Sequence, residues 1–134
     1  MPPKSGSRFS DKGTRQERRF AEAAGRRGEF WASLYLMLKG YRILARRVKT
    51  PVGEIDLIAR RLDTTIFVEV KARAFSSGEE DALYAVNRDR ILRAAQVWLA
   101  RHPSAGGIRF DVIFLAPFAR PRHITGAFDA TGSL

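Results

Sequence analysis

Four charged residues lie within the two apolar runs, EIDLIA and TIFVEVK, of the sequence GEIDLIARRLDTTIFVEVKAR at residues 53–73. They are Glu54, Asp56, Glu69 and Lys71. Carboxylates a few ångströms apart repel one another and raise each other's pKa, so a group of them requires a compensating cation. A divalent metal such as Mg²⁺ or Mn²⁺, bound by carboxylate oxygens, is one candidate. Ion pairs with the lysine or with nearby arginines are the structural alternative.

Two neighbouring strands are expected to bring these charges together. Successive side chains of a strand point to opposite faces, so the two carboxylates of the first strand share a face, and Ile55 and Leu57 share the other. The same alternation puts Glu69 and Lys71 on one face of the next strand. The short reversal at residues 62–64 makes the two strands a hairpin, so the charged pairs are expected to lie side by side.

The surrounding sequence predicts the elements that hold this hairpin. In order, they are a helix that ends at Gly40, strands at Tyr41–Lys49, Glu54–Arg60 and Thr65–Lys71, a helix from about Glu79 to Arg101 with a break near Asn87, and a strand at Ile108–Leu115. Short connections make the first three strands an antiparallel meander, and the helical crossover allows the fourth to pair in parallel. The residues after 116 are expected to be irregular, apart from a short edge strand near His123.

This order defines the predicted fold class, an α/β sandwich. Its central mixed sheet is a three-strand antiparallel meander plus a strand after a crossover helix, and helices flank it. Residues 1–14, rich in Gly, Ser, Pro and charge, are expected to be a disordered basic tail. Residues 15–128 are expected to form a single domain, followed by a flexible C-terminus at 129–134.

The composition indicates a polyanionic partner. The 134 residues include 24 Lys and Arg against 14 Asp and Glu, a net charge of +10. Nucleic acid is the partner that this excess of positive charge favours. The chain has no cysteine, which excludes disulfides and thiolate metal sites and fits a reducing cytoplasm. No apolar run approaches the ~18 residues of a membrane span, so no membrane partner is expected.

Several arginines are candidates for holding a nucleic-acid backbone. Arg73 follows the second charged strand closely enough to reach a phosphate beside the carboxylates. Arg42, Arg46 and Arg47 lie on the first strand, where an ordinary solvent-exposed charged face is an equal alternative.

A few further residues are expected to have structural roles. Asp111 lies between two apolar residues of its strand, so it faces away from them and is a natural partner for an arginine. Trp31 and Trp98 occur in helical stripes and are expected in the core. The two histidines, His102 and His123, have no spacing to carboxylates that is typical of a metal site or a catalytic triad.

Asp56 and, thirteen residues later, the triplet Glu69-Val70-Lys71 resemble the PD-(D/E)xK signature of nucleases. That signature is short and degenerate, but the segments around it are more specific. In order, they are GEFWASLYLMLKGYRIL, GEIDLIA, FVEVKAR, the SSG that follows, and RFDVIF. Together, over about residues 25–128, they resemble the bacterial YraN-like family, also called UPF0102, which is related by sequence to archaeal Holliday junction resolvases.

The resemblance implies a restriction-endonuclease-like core and a set of roles. Asp56 and Glu69 would ligate the divalent metal, and Lys71 would position the attacking water or stabilise the pentavalent phosphorane. Glu29 matches the acidic residue of the first helix that often completes such sites, and a solvated or ion-paired Glu29 is the alternative. Glu54 matches the glutamate of the family's GEID motif, and faces either the metal or a neighbouring arginine. The sequence departs from the nuclease signature in having Gly-Glu-Ile-Asp where Pro-Asp is usual.

These observations predict a Mg²⁺-dependent endonuclease that hydrolyses phosphodiesters in DNA, with branched or otherwise structured DNA as the expected substrate. A non-catalytic nucleic-acid-binding protein that keeps the fold is the first alternative, and an adaptor for protein partners is the second. Cleavage of branched DNA usually needs two active sites, so a homodimer is compatible with the prediction.

Overall fold

The computed structural model describes residues 28–72, 87–104, 106–115 and 120–129. Residues 28–38 are helical and are called α1. The following elements are β1 (Arg42–Thr50), β2 (Gly53–Arg61), β3 (Thr64–Ala72), α2 (Arg88–Arg101), β4 (Ile108–Leu115) and β5 (Arg122–Phe128). The predicted basic tail, most of the predicted C-terminal segment and the first part of the second predicted helix lie outside the described residues.

The five strands form one mixed sheet in the order β1-β2-β3-β4-β5. The first three are antiparallel neighbours, β3 and β4 pair in parallel, and β4 and β5 pair antiparallel. Two-residue turns join the first three strands, whereas the chain between β3 and β4 includes α2 and is long enough to return in the same direction. The predicted meander and crossover strand are confirmed. The strand expected near His123 is also present, as the seven-residue β5.

Of the two described helices, one covers each face of the sheet. The layer beneath α2 combines helix residues with strand residues, and includes Ile91, Ala94, Ala95, Ile55, Ile58, Phe67, Phe110, Val112, Phe114 and Phe128. The layer beneath α1 includes Ala32, Leu36, Tyr41, Leu57, Ala59, Ile66, Val68 and Ile113. The predicted sandwich, a mixed sheet flanked by helices, is therefore confirmed.

The end of α1 and the start of α2 both follow from local chemistry. At the end of α1, Gly40 adopts a φ of +90°, and the Tyr41 N–H donates to the Leu36 carbonyl at 2.9 Å, as in a glycine-terminated helix. At the start of α2, the Asn87 side chain accepts from the Arg90 N–H at 3.2 Å, so the break predicted near Asn87 is an N-cap. Within the described ranges, neither helix has the length and apolar character that a membrane crossing needs.

The prediction that Trp31 belongs to the core is wrong. Its exposed fraction is 59%, whereas Ala32 and Leu36 are fully buried. Apolar residues occur on more than one side of α1, and the side with the small Ala32 allows the closer approach to the sheet. The prediction for Trp98 is confirmed in part: it is partly buried and packs against the α2 layer, with its ring centroid 5.9 Å from that of Phe67.

Candidate active site

Asp56 lies where two strands of the sheet separate. The ladder between β2 and β3 extends from the turn as far as the pair Leu57–Val68. Beyond that pair, the Val70 N–H donates to Asp56 Oδ2 at 2.8 Å. The Asp56 carboxylate thus takes the place of a backbone acceptor and lies between β2 and β3 at the opening of the sheet.

The prediction that Ile55 and Leu57 share a face is wrong. Ile55 packs in the layer beneath α2, and Leu57 packs in the layer beneath α1. β1 changes faces at the same level, since Ala45 and Val48 are three residues apart and both pack towards α2. Between them, Arg47 has a φ of +51°, and a left-handed residue interrupts the alternation of a strand. The two paired strands therefore change the face that they present to the core at the same level, and Asp56 lies at that level.

Glu69 and Lys71 lie on β3 beside this opening. Their partners in the parallel ladder are Val112 and Phe114, two buried residues of the layer beneath α2. The prediction that Glu69 and Lys71 share a face agrees with this register. The side chain of Glu69 is hydrogen-bonded to that of Asp56, and the positive charge of Lys71 acts on the same carboxyl. The structure thus brings together two carboxyl groups and one ammonium.

The surroundings of Glu69 strongly raise the pKa of its carboxyl group. Burial raises the pKa of Glu69 to about 9, and the hydrogen bond to Asp56 and the charge of Asp56 act in the same direction. Lys71 lowers the pKa of Glu69 and the charge of Glu29 raises it. At pH 7 Glu69 is therefore protonated, and its O–H can donate to the Asp56 carboxylate. One proton removes the repulsion that two adjacent carboxylates would otherwise suffer.

Replacing Glu69 by glutamine is expected to stabilise the metal-free protein at alkaline pH. The stability that protonated Glu69 contributes is complete below its ordinary pKa of 4.5 and is lost as the pH rises towards about 9. Glutamine imitates the protonated acid, so at pH 8.5 the melting temperature should rise by about 3 °C or more. Thermal unfolding from pH 5 to pH 9 measures this.

The exposed Glu54 provides the control, because Glu54→Gln makes the same chemical change outside the pair. Its pH profile should run parallel to that of the wild type. A parallel profile for Glu69→Gln as well would contradict the raised pKa of Glu69.

Glu29 lies near the pair and contacts an arginine. Its Oε2 is 3.5 Å from the Nε of Arg47, and 13% of the Glu29 side chain is exposed. Ala32 and Leu36, three and seven residues later, are fully buried, so Glu29 leans towards the sheet as predicted. The ion-paired alternative for Glu29 is thus present in the structure, at a position from which its charge acts on Glu69.

Glu54 is not brought to the pair. Its side chain is exposed, and its partner across the β1–β2 ladder is Lys49. In the ranges that the structure describes, no three His, Asp or Glu side chains lie close enough to hold one metal ion. Two carboxylates still fit Mg²⁺, which keeps several waters and usually binds one or two carboxylates together with a substrate phosphate. The predicted phosphate contact Arg73 lies outside the described residues.

The arginines of β1 differ in their surroundings. Arg42 and Arg46 are exposed on β1, which is one of the two edge strands of the described sheet, and their ladder partners are Arg60 and Leu57. At this edge both can meet solvent or a phosphate. Arg47 alone of the three has the left-handed backbone and the contact with Glu29.

A buried polar cluster surrounds Asp111 in β4. Arg109 donates from Nε and Nη2 to the two carboxylate oxygens, each at 2.8 Å, and the Gly126 N–H donates to Oδ1 at 2.9 Å. His123 Nε2 lies 2.7 Å from Oδ2. Burial alone would raise the pKa of Asp111, but the hydrogen bonds from His123, Arg109 and Gly126 outweigh it and lower the pKa. The predicted arginine partner of Asp111 is therefore confirmed as Arg109.

Sequence reasoning missed His123, whose side chain is only 1% exposed. Lys39 Nζ lies 3.0 Å from its Nδ1, and an ammonium can only donate. His123 Nδ1 therefore accepts, which leaves Nε2 to carry the proton that is donated to Asp111. No local sequence spacing predicts the contact between His123 and Asp111, because the pairing of β4 with β5 creates it.

The sequence is similar to the members of one protein family. The model of a family described as "Uncharacterised protein family UPF0102" matches residues 28–115. A UPF0102 protein of Agrobacterium fabrum is 48% identical over 118 residues, which cover 87% of this chain and 97% of the relative. One from Nitrobacter winogradskyi is 52% identical over 113 residues, 81% of this chain and 93% of the relative. One from Methylorubrum extorquens is 50% identical over 125 residues, 92% and 96% respectively.

Proposed function

This chain belongs to the UPF0102 family, and from the geometry of its own site we propose that it is a divalent-metal-dependent nuclease that cleaves DNA. One observation carries the proposal: the side chains of Asp56 and Glu69 are hydrogen-bonded to each other at the opening between β2 and β3, with Lys71 on the same strand as Glu69. A buried carboxyl whose pKa is strongly raised by burial and by a neighbouring acid is typical of a functional site. The net charge of +10 supports a polyanionic substrate.

The residues of the site have separate tasks in this proposal. Asp56 and Glu69 bind a divalent cation, Mg²⁺ or Mn²⁺, and Glu69 gives up its proton when they do so. The cation supplies Lewis-acid stabilisation of the charge that develops on the phosphate. Lys71 orients the attacking water, or donates a hydrogen bond to a phosphate oxygen that gains charge. The Val70 N–H holds Asp56 in place, since its bond to Oδ2 fixes one carboxylate oxygen.

The choice of DNA substrate rests on the resemblance to archaeal Holliday junction resolvases. It makes branched DNA the first substrate to test, and a homodimer would then supply the second active site. The exposed arginines along the edge strand β1, such as Arg42 and Arg46, support contact with a nucleic-acid backbone.

Cleavage assays on labelled DNA test the proposal. The protein is incubated with a four-way junction, a flap, a duplex and a single strand, each with Mg²⁺, with Mn²⁺ and with EDTA. We expect cleavage of at least one substrate that depends on the metal, and a rate about a hundredfold lower for Lys71→Ala. The control is Arg93→Ala, which removes a positive charge from an exposed position on α2 and should retain the rate. Equal rates for the two variants would refute the role of Lys71.

A second candidate function is nucleic-acid binding without cleavage. It is favoured by the proton on Glu69, which a metal must displace, and by the lack of a third ligand for the pair among the described side chains. In that case Mn²⁺ would leave the melting temperature unchanged, and DNA would bind equally well in EDTA and in Mg²⁺. A rise in melting temperature with Mn²⁺ that is absent from Glu69→Gln would favour the nuclease instead.

A further inference from the structure

Arg47 has a backbone conformation that its position in the chain does not explain. Only two of the described residues other than glycine have a positive φ, Arg47 at +51° and Leu62 at +54°. Leu62 occupies the turn between β2 and β3, where such a conformation is common. Arg47 lies inside the nine-residue strand β1. A residue with a Cβ atom adopts the left-handed backbone region at a cost in free energy. Such strained residues are concentrated at functional sites.

The strained residue lies beside the carboxyl pair. In the β1–β2 ladder, Arg46 pairs with Leu57 and Val48 pairs with Ile55, so Arg47 is opposite Asp56. At this level both strands change the face that they present to the core. The irregular backbone therefore decides where the Arg47 side chain points.

The Arg47 side chain combines a contact with a carboxylate and exposure to solvent. Its Nε contacts Glu29 Oε2 at 3.5 Å, and 47% of the Arg47 side chain is exposed. An arginine has several N–H donors in a fixed fork, so one that contacts a carboxylate through Nε can still bind a phosphate oxygen. Because the Arg47 partner is about half exposed and the contact is 3.5 Å long, this ion pair contributes little to stability and does not by itself account for the strain.

We infer that Arg47 is a phosphate-binding residue whose left-handed backbone and contact with Glu29 aim its guanidinium at the nucleic-acid backbone next to the Asp56–Glu69 pair. Arg47 is a positioning residue in this scheme: it holds the phosphodiester in register with the acids and takes no part in proton transfer. The inference rests on the proposed function for the identity of the ligand. It separates Arg47 from Arg42 and Arg46, which have ordinary backbone conformations on the same strand.

The variant Arg47→Asn tests the inference, because asparagine tolerates the left-handed region and lacks the guanidinium. Binding of a labelled four-way junction is measured in EDTA over a range of salt concentrations. We expect the affinity at ~0.1 M salt to fall about five- to tenfold, and the slope of log K against log salt to become shallower by about 0.9, the value for one phosphate contact. The melting temperature should stay equal or rise by about 2 °C, since the strain is relieved.

Two controls sharpen the result. Arg93→Gln removes the same charge from an exposed site on α2 and should change the salt slope by less than half as much. Arg47→Lys keeps the charge without the fork and should recover only part of the affinity. An affinity and slope equal to those of Arg93→Gln would overturn the inference, and so would a lowered melting temperature, because Arg47 would then serve the fold.

The outcome is independent of catalysis, since all binding is measured without metal. If the wild type cleaves no substrate, the proposed nuclease fails while the loss of affinity in Arg47→Asn still supports the phosphate contact. If the wild type cleaves DNA and Arg47→Asn binds and cleaves normally, the inference fails alone.

Discussion

Replacing Asp56 by asparagine is expected to lower the metal-dependent cleavage rate at least about a hundredfold, because even outer-shell partners of metal ligands typically account for about 10- to 100-fold in activity. Asparagine keeps a side-chain oxygen that can accept from the Val70 N–H, which now bonds Asp56 Oδ2 at 2.8 Å. The strand opening should therefore survive, and only the charge is lost. Initial rates on the best DNA substrate, at saturating Mn²⁺, measure the effect.

The same variant should keep its fold. The amide oxygen of asparagine can still accept from the Val70 N–H, so the variant should melt close to the wild-type temperature. Asp63→Asn is the matched control: it makes the same substitution at an exposed carboxylate in the turn of the same hairpin. If Asp56→Asn and Asp63→Asn cleave DNA at equal rates, Asp56 is not part of the active site.

Replacing Asp111 by asparagine is expected to lower the free energy of unfolding by about 2–4 kcal/mol, near the loss measured when one partner of a buried ion pair is removed. The carboxylate accepts from Arg109 at both oxygens, from His123 and from the Gly126 N–H, and an amide cannot accept at all of these. Arg109 would keep its charge without a full partner. Urea denaturation at pH 7 measures the change, and Asp63→Asn should stay within about 0.5 kcal/mol of the wild type.

The effect of Asp111→Asn should depend on pH in a defined direction. The pKa of Asp111 lies below its ordinary value of 3.8, so the stability that it contributes is complete above that value and is lost as the pH falls through the folded-state pKa. The unfolding curves of the variant and the wild type should therefore converge below about pH 3.8. A constant difference from pH 7 down to pH 2 would contradict an ionised Asp111.

The strands and their order could be predicted because the signals are local. Alternating and apolar runs bounded by turn residues identify β1 to β4, and the two-residue turn at Leu62 allows only an antiparallel pair. The same hairpin pairs Leu57 with Val68, and this pairing brings Asp56 and Glu69 within reach of each other. The sequence was therefore sufficient to predict that Asp56 and Glu69 lie close together.

Side-chain direction could not be predicted where the backbone leaves its regular form. Strict alternation assigned Ile55 and Leu57 to one face. The left-handed Arg47 on the neighbouring strand and the separation of β3 from β2 interrupt this alternation, so the two residues pack on opposite faces of the sheet. Helical periodicity likewise assigned Trp31 to the core, whereas the packing of α1 on the sheet buries Ala32. A period describes an undistorted element, and only the contacts between elements decide which of its sides is buried.

The sequence by itself determined the α/β class, the meander with its crossover strand, the meeting of Asp56 with Glu69, and the arginine partner of Asp111. Each follows from the pleat, the turn length or the charge of near neighbours. The tertiary structure alone decided the raised pKa of Glu69, the exclusion of Glu54 from the pair, and the contact between His123 and Asp111. These depend on burial and on pairing between distant segments, because the free energy of a charge is set by what surrounds it in space.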